Sequence, residues 1–205
     1  MFTTSHNMTG ERFGARRLVV ALALLTVGPL PDLCLSAAGE SSRPPVVRVN
    51  EEDGVYSVSA CFRVPQPLAV VRAVLTDYES IPRFVPGVKA SIVIERASGR
   101  AVVQQEAISR FMMFSKRVYL LLDVTEGPDA LAFRDRSGRS FRRYEGAWTL
   151  AEVAGATEVT YRLTAEPSFD VPQIILKGLL GRDSAAMIDG LRAEMTARAV
   201  TVARK

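Results

Sequence analysis

Between residues 55 and 64 the chain alternates: Tyr56, Val58, Ala60 and Phe62 stand against Ser57, Ser59, Cys61 and Arg63. This is the period of a strand with one face more buried than the other. Pro65 and Pro67 end the strand and prepare a helix, because proline fits the first helical turn. Leu68, Val71, Val74 and Leu75 then recur at spacings of three and four, which predicts a short amphipathic helix ending near Tyr78. Ser80 can cap a second short helix with Ile81 and Pro82 in its first turn, and Pro86-Gly87 stops it. From Val88 the pattern becomes a run of strands, at about 88–97, 101–113, 116–126, 130–136, 141–152 and 157–167. Turn residues such as Ser98-Gly99, Gly127-Pro128-Asp129, Ser137-Gly138 and Ala154-Gly155 separate them. Connections this short require antiparallel neighbours. Beyond Pro167 and Pro172 the period becomes helical: Met187, Ile188, Leu191, Met195, Ala199 and Val202 form one apolar stripe, with Asp183 as the expected N-cap. Ile174 to Leu180 reads as earlier turns of the same helix, interrupted around Gly178 and Gly181.

The order is strand, two short helices, six strands and a long helix. It predicts an α+β fold in which a seven-stranded antiparallel sheet, following the strand count above, has one face to cover. The long C-terminal helix is the only element large enough to cover it. A twisted sheet curls around that helix, the two short helices close one end, and a single helix leaves space within so wide a concavity.

Composition divides the chain further. Arg12, Arg16 and Arg17, the apolar run Leu18 to Val27 and the small residues Ser36, Ala37 and Ala38 follow the order of a secretory signal peptide. The expected organisation is therefore a leader over residues 1–38, a linker over 39–53 and one domain over 54–205. A periplasmic or secreted location follows, with an uncleaved leader acting as a membrane anchor as the alternative. Cleavage near Ala38 removes Cys34 and leaves Cys61 alone, as a small buried hydrophobe rather than a disulfide partner. The single histidine, His6, lies in the leader. A mature domain without histidine has no Ser-His or Cys-His pair and lacks the commonest metal ligand, so neither a metal nor a cofactor is expected. A formal net charge of +4 is too small to imply nucleic acid. A monomer is expected.

Several ordered segments carry a family resemblance: "VLTDYESIPRFVPGVKAS", then "FRRYEGAWTL", then "TEVTYRLTAEPSFDVP" and the closing "GLRAEM". Together they resemble the polyketide cyclase/dehydrase and coenzyme Q-binding branch of the START-like (SRPBCC, birch-pollen-allergen-like) superfamily, over about residues 54–203. The resemblance implies a helix-grip fold with a hydrophobic cavity. Its members include quinone-binding chaperones, lipid carriers, aromatase/cyclases and a ribosome-associated toxin.

Within that frame, Ile81, Phe84 and Val85 are the expected lid: a short helix broken by proline at both ends and carrying apolar side chains to the cavity mouth. Plain core packing is the alternative for them. Trp148 shares a strand face with Tyr144, Gly146 and Leu150, and the missing side chain at Gly146 admits either a ligand or the helix. Phe111 and Met113, in a Phe-Met-Met-Phe cluster, suit an irregular apolar pocket. Tyr161, Met187 and Leu191 complete the expected ligand-binding set. Arg134, Arg136, Arg139, Arg142 and Arg143 surround the Ser137-Gly138 hairpin and offer transient contact with an anionic membrane or a partner, against the alternative of a solvated hairpin. Glu106 is the one carboxylate weighed as a general base, against an outward-facing ion pair. The chain therefore reads as an exported binder or carrier of a hydrophobic small molecule such as a lipid, a quinone or a polyketide-like compound. The alternatives are a cyclase or dehydratase using a pocket carboxylate, and an interaction module of the ribosome-associated toxin type.

Overall fold

The structure is a computed structural model that describes residues 45–111 and 114–203. The expected signal peptide, with His6 and Cys34, lies outside the described residues, as does Met113. Along the chain run β1 (Val46–Glu52), β2 (Val55–Val64), α1 (Leu68–Leu75), α2 (Ile81–Phe84), β3 (Val88–Ala97), β4 (Arg100–Phe111), β5 (Phe114–Glu126), β6 (Ala130–Asp135), β7 (Phe141–Val153), β8 (Ala156–Pro167) and α3 (Gln173–Ala203). One 3-10 turn, Tyr78–Ser80, precedes α2.

All eight strands form one antiparallel sheet in the order β1-β2-β8-β7-β6-β5-β4-β3. The meander from β3 to β8 is closed by β2 pairing with β8, Ala60 opposite Tyr161. α3 touches β1 and β2 near one edge and β4 near the other. Only a strongly curled sheet brings both edges to one helix, and this is the helix-grip arrangement.

The sheet has eight strands and not seven. The extra strand, β1, falls within residues 39–53, expected to be a linker. It pairs with β2 through a two-residue turn at Asp53 (φ 50°) and Gly54 (φ 81°). Left-handed values at both central positions give the type I′ hairpin, which matches the twist of its strands. Val47 and Val49 are half-buried against the core while Val46 is exposed. β1 thus covers the β2 edge and lends one face to α3.

Three further expectations are revised. α3 is continuous, and Asp183 lies inside it rather than at its start. Gly181 faces the Val49 side chain, whose Cγ2 would stand at ordinary contact distance, 3.5 Å, from an added Cβ. α1 ends at Leu75, earlier than its spacing predicts. Cys61 is half-buried on β2 and disulfide-bonded, unlike the lone thiol expected of a chain cleaved near Ala38.

The core lies between the concave face and the helices. Val58, Val64, Val103 and Val159 from the sheet, Val71 and Val74 from α1, and Ile188 and Met195 from α3 are almost wholly buried. Among the described residues no helix is long and apolar enough to cross a membrane.

Candidate functional site

The sheet and α3 do not close on each other along their whole length. Near α1 a small apolar cavity of about 120 Å³ lies between Val74, Ile81, Leu131, Trp148 and Leu191. It meets a larger one of about 540 Å³ that runs toward the start of β3, between Val118, Leu120, Leu163, Leu176 and Leu179. Val85, Val88, Gln105, Tyr144, Tyr161 and Met187 line both. The concave face supplies one wall because side chains on a strand alternate, so that one set of residues on β4, β5, β7 and β8 faces inward.

The ceiling at the junction is aromatic. The rings of Trp148 and Tyr161 lie 4.4 Å apart, Phe141 and Tyr144 4.9 Å, and Phe133 stacks on Tyr161 at 6.5 Å. Such pairs hold one another in fixed orientation and keep the walls rigid. Gly146 makes this packing possible: an added Cβ would stand 2.2 Å from the Arg162 carbonyl oxygen and 2.7 Å from the Phe133 ring. The room it leaves is filled by the neighbouring strand and Phe133, not by a ligand or α3.

The polar groups inside are few. Gln105 donates from Nε2 to Ser91 Oγ at 3.2 Å. The Tyr144 and Tyr161 hydroxyls are hydrogen-bonded to each other. Burial pushes Tyr144 up to about 12, with the bond from Tyr161 pulling the other way and the Asp135 charge adding to the rise. Burial, then the Tyr144 charge and hydrogen bond, hold Tyr161 well above the ordinary tyrosine value. At neutral pH both phenols keep their protons. Tyr161 donates to Tyr144, so the Tyr144 proton is the one left to offer to a ligand oxygen, and neither phenol is poised to abstract a proton.

The entrance is framed by Val85, Pro86 and Gly87 after α2, by Ser109, Arg110, Ser115 and Lys116 at the ends of β4 and β5, and by Arg182, Asp183 and Ser184 on α3. Ser109 donates a short hydrogen bond to Asp183 Oδ2, joining sheet and helix across it. The segment before β3 is fastened on three sides. Asp77 meets Arg198 of α3 at 2.5 Å, the Tyr78 hydroxyl donates to Glu126 at 2.9 Å, and Phe84 docks on Gly190. A Cβ at Gly190 would stand 1.9 Å from the Phe84 carbonyl oxygen. Burial alone would raise the Asp77 carboxyl, but hydrogen bonds from Arg198 and Ser80, with the Arg198 and Arg83 charges, outweigh it and pull it below the usual range. Ser80 makes no side-chain cap to α2; its hydroxyl serves Asp77 instead.

Of the expected ligand-binding residues, Ile81, Val85, Trp148, Tyr161, Met187 and Leu191 line the cavities. Phe84 does not: it packs against the core with its carbonyl on Gly190. The Phe111 side chain, like Met113, lies outside what the structure describes. Glu106 is corrected as a pocket carboxylate. Gln105 and Ala107 face the cavity, so alternation turns Glu106 to the opposite face, where it lies 3.6 Å from Arg117. The five hairpin arginines each have a partner within the chain. Arg134 and Arg143 meet Glu145, Arg136 meets Asp123, Arg142 meets Glu166, and Arg139 lies 3.9 Å over the Tyr119 ring. Tyr144, Gln105 and Gly190 were not among the expected site residues. Tyr144 carried a signal, since it shares the strand face of Trp148.

A curled antiparallel sheet gripping one long helix, with an apolar cavity between them, defines the helix-grip fold. Residues 64–192 match the model of the polyketide cyclase / dehydrase and lipid transport family, and the chain belongs to that family. No curated protein sequence matches the chain. Among solved structures, TTHA0849 from Thermus thermophilus is similar at 22% identity and a TM-score of 0.62, covering 69% of this chain and 98% of that one. The Zhui aromatase/cyclase from Streptomyces sp. R1128 aligns at 15% identity and a TM-score of 0.62, over 71% and 96% of the two chains. The STAR-related lipid transfer protein from Xanthomonas axonopodis aligns at 16% identity and 0.57, over 75% and 99%. At these identities the likeness is one of fold.

Proposed function

We propose that the chain is an exported binding or carrier protein that holds a hydrophobic small molecule, of lipid, quinone or polyketide-like character, between the concave sheet and α3. The observation that carries this is the cavity of about 540 Å³, apolar in its depth and open at one end. A dry apolar void of that size would cost on the order of 10 kcal/mol, as much as the whole stability of about 5–15 kcal/mol of a domain. Water entering from the open end or an occupant removes that cost, and only an occupant gains from the apolar depth. The family and the lipid-transfer neighbour support the ligand class, and the order of basic, apolar and small residues over 12–38 supports export.

The test is to purify the chain from its host, record native mass spectra and extract the bound material into organic solvent. A co-purifying hydrophobic molecule is expected. At a hundred times its Kd it should stabilise the fold by about 2.7 kcal/mol. No bound molecule, and no thermal shift across a panel of lipids and quinones, would overturn the proposal.

A further inference from the structure

The lining of the larger cavity is unevenly charged. Its depth is apolar, and its entrance carries Lys89, Arg110, Lys116 and Arg182 against one carboxylate, Asp183. Three of these cations come from neighbouring strands at the same end of the sheet. Lys89 follows Val88, which pairs with Ala107 of β4; Lys116 pairs with Ser109 on the inner face, and Arg110, one residue further on, leaves β4 from the outer face at the rim. The carboxylate is engaged on two sides, by the Ser109 hydroxyl and by Arg182 at 2.9 Å. Among the described residues Lys89, Arg110 and Lys116 have no acidic partner. Lys116 instead lies 4.1 Å over the ring of Phe169, itself a lining residue. The hairpin arginines 134–143 are a contrast, since four of those five are paired with carboxylates.

We infer that the ligand is an amphiphile with an anionic head, its apolar body between the sheet and α3 and its carboxylate or phosphate among Lys89, Arg110 and Lys116. This rests on the cavity being a ligand site. The apolar depth sets affinity through buried area, while the unpaired cations at the entrance select the head and fix which end of the ligand leads. A Lys held against an aromatic face and an Arg close by are suited to either a carboxylate or a phosphate. An uncharged head of the same size leaves those charges without a counter-charge and gains nothing from them.

Trp148, the only tryptophan, lines the inner cavity, so its fluorescence reports filling. Dodecanoic acid, dodecyl phosphate and dodecan-1-ol are titrated into the delipidated chain and into the triple variant K89E/R110E/K116E, at low and high salt. All three positions are exposed, and circular dichroism with thermal melting checks that the variant is folded. At least one anionic amphiphile is expected to bind about tenfold more tightly than the alcohol, as three exposed charge contacts allow. That preference should shrink with salt and vanish in the triple variant. Preference for dodecanoic acid alone assigns a free carboxylate, and preference for dodecyl phosphate alone assigns a phosphate head. Equal binding of all three, or an anionic preference that survives charge reversal, overturns the inference and leaves the cavity as a ligand site. Binding by none of the three overturns the cavity as a ligand site as well.

Discussion

The two halves of α3 use the same apolar stripe differently. Toward its C-terminal end Ile188 and Met195 are fully buried, and Gly190 lets α2 approach to backbone contact. Toward its start Leu176, Leu179 and Met187 face the larger cavity. One half is a clamp, and the other is a wall. Side-chain volume therefore carries stability in the first half and ligand fit in the second.

Neighbouring residues give the sharpest test of that contrast. Ile188→Ala leaves a void in a closed core and should lower the unfolding free energy by about 2–5 kcal/mol. Met187→Ala only enlarges an existing space from a half-buried position, and should cost about 1 kcal/mol or less. Chemical denaturation of both variants checks this, and equal losses would break the contrast. Gly190→Ala forces α2 off α3 and should cost about 1–3 kcal/mol, with faster proteolysis within residues 76–87 as its local sign.

Asp77 supplies a smaller, pH-dependent part of the clamp. Its folded carboxyl titrates below the ordinary value, so its contribution of about 1 kcal/mol is complete above the unfolded carboxylate value near pH 4. It is lost as pH falls through the folded value. The stability difference between wild type and Asp77→Asn should therefore vanish on acidification. A difference that instead grows toward acid would remove Asp77 from the clamp. Ala107→Phe, pointing into the wall half, should change stability least, within about 0.5 kcal/mol either way, because it fills space already present. It should nevertheless abolish the ligand-induced thermal shift.

The sequence made this division partly visible. Strands β2 to β8 were legible to within a few residues because alternation and glycine-containing turns agree at each boundary. β1 was harder to see: an edge strand needs only one half-buried face, and its signal was the Asp53-Gly54 turn between Val-rich runs. Ile81, Val85, Trp148, Tyr161, Met187 and Leu191 were legible as inward residues because their spacing set their face. Glu106 was not, because Ala101-Val102-Val103 and Gln104-Gln105 blur the phase of β4 and its partner β3 carries two register shifts. Gly190 was hidden for another reason. A glycine on a helix shows its use only when the element packed on it is known.

The docking of Phe84 on Gly190 also bears on the order of folding. It joins the corner ahead of the meander to α3, and such distant contacts carry a loop-closure penalty before they contribute stability. The sheet can begin to pair from its local hairpins, but its concave face stays uncovered until α3 has been made. A growing chain thus exposes its apolar interior until α3 emerges, and that interval is when it is most vulnerable to aggregation.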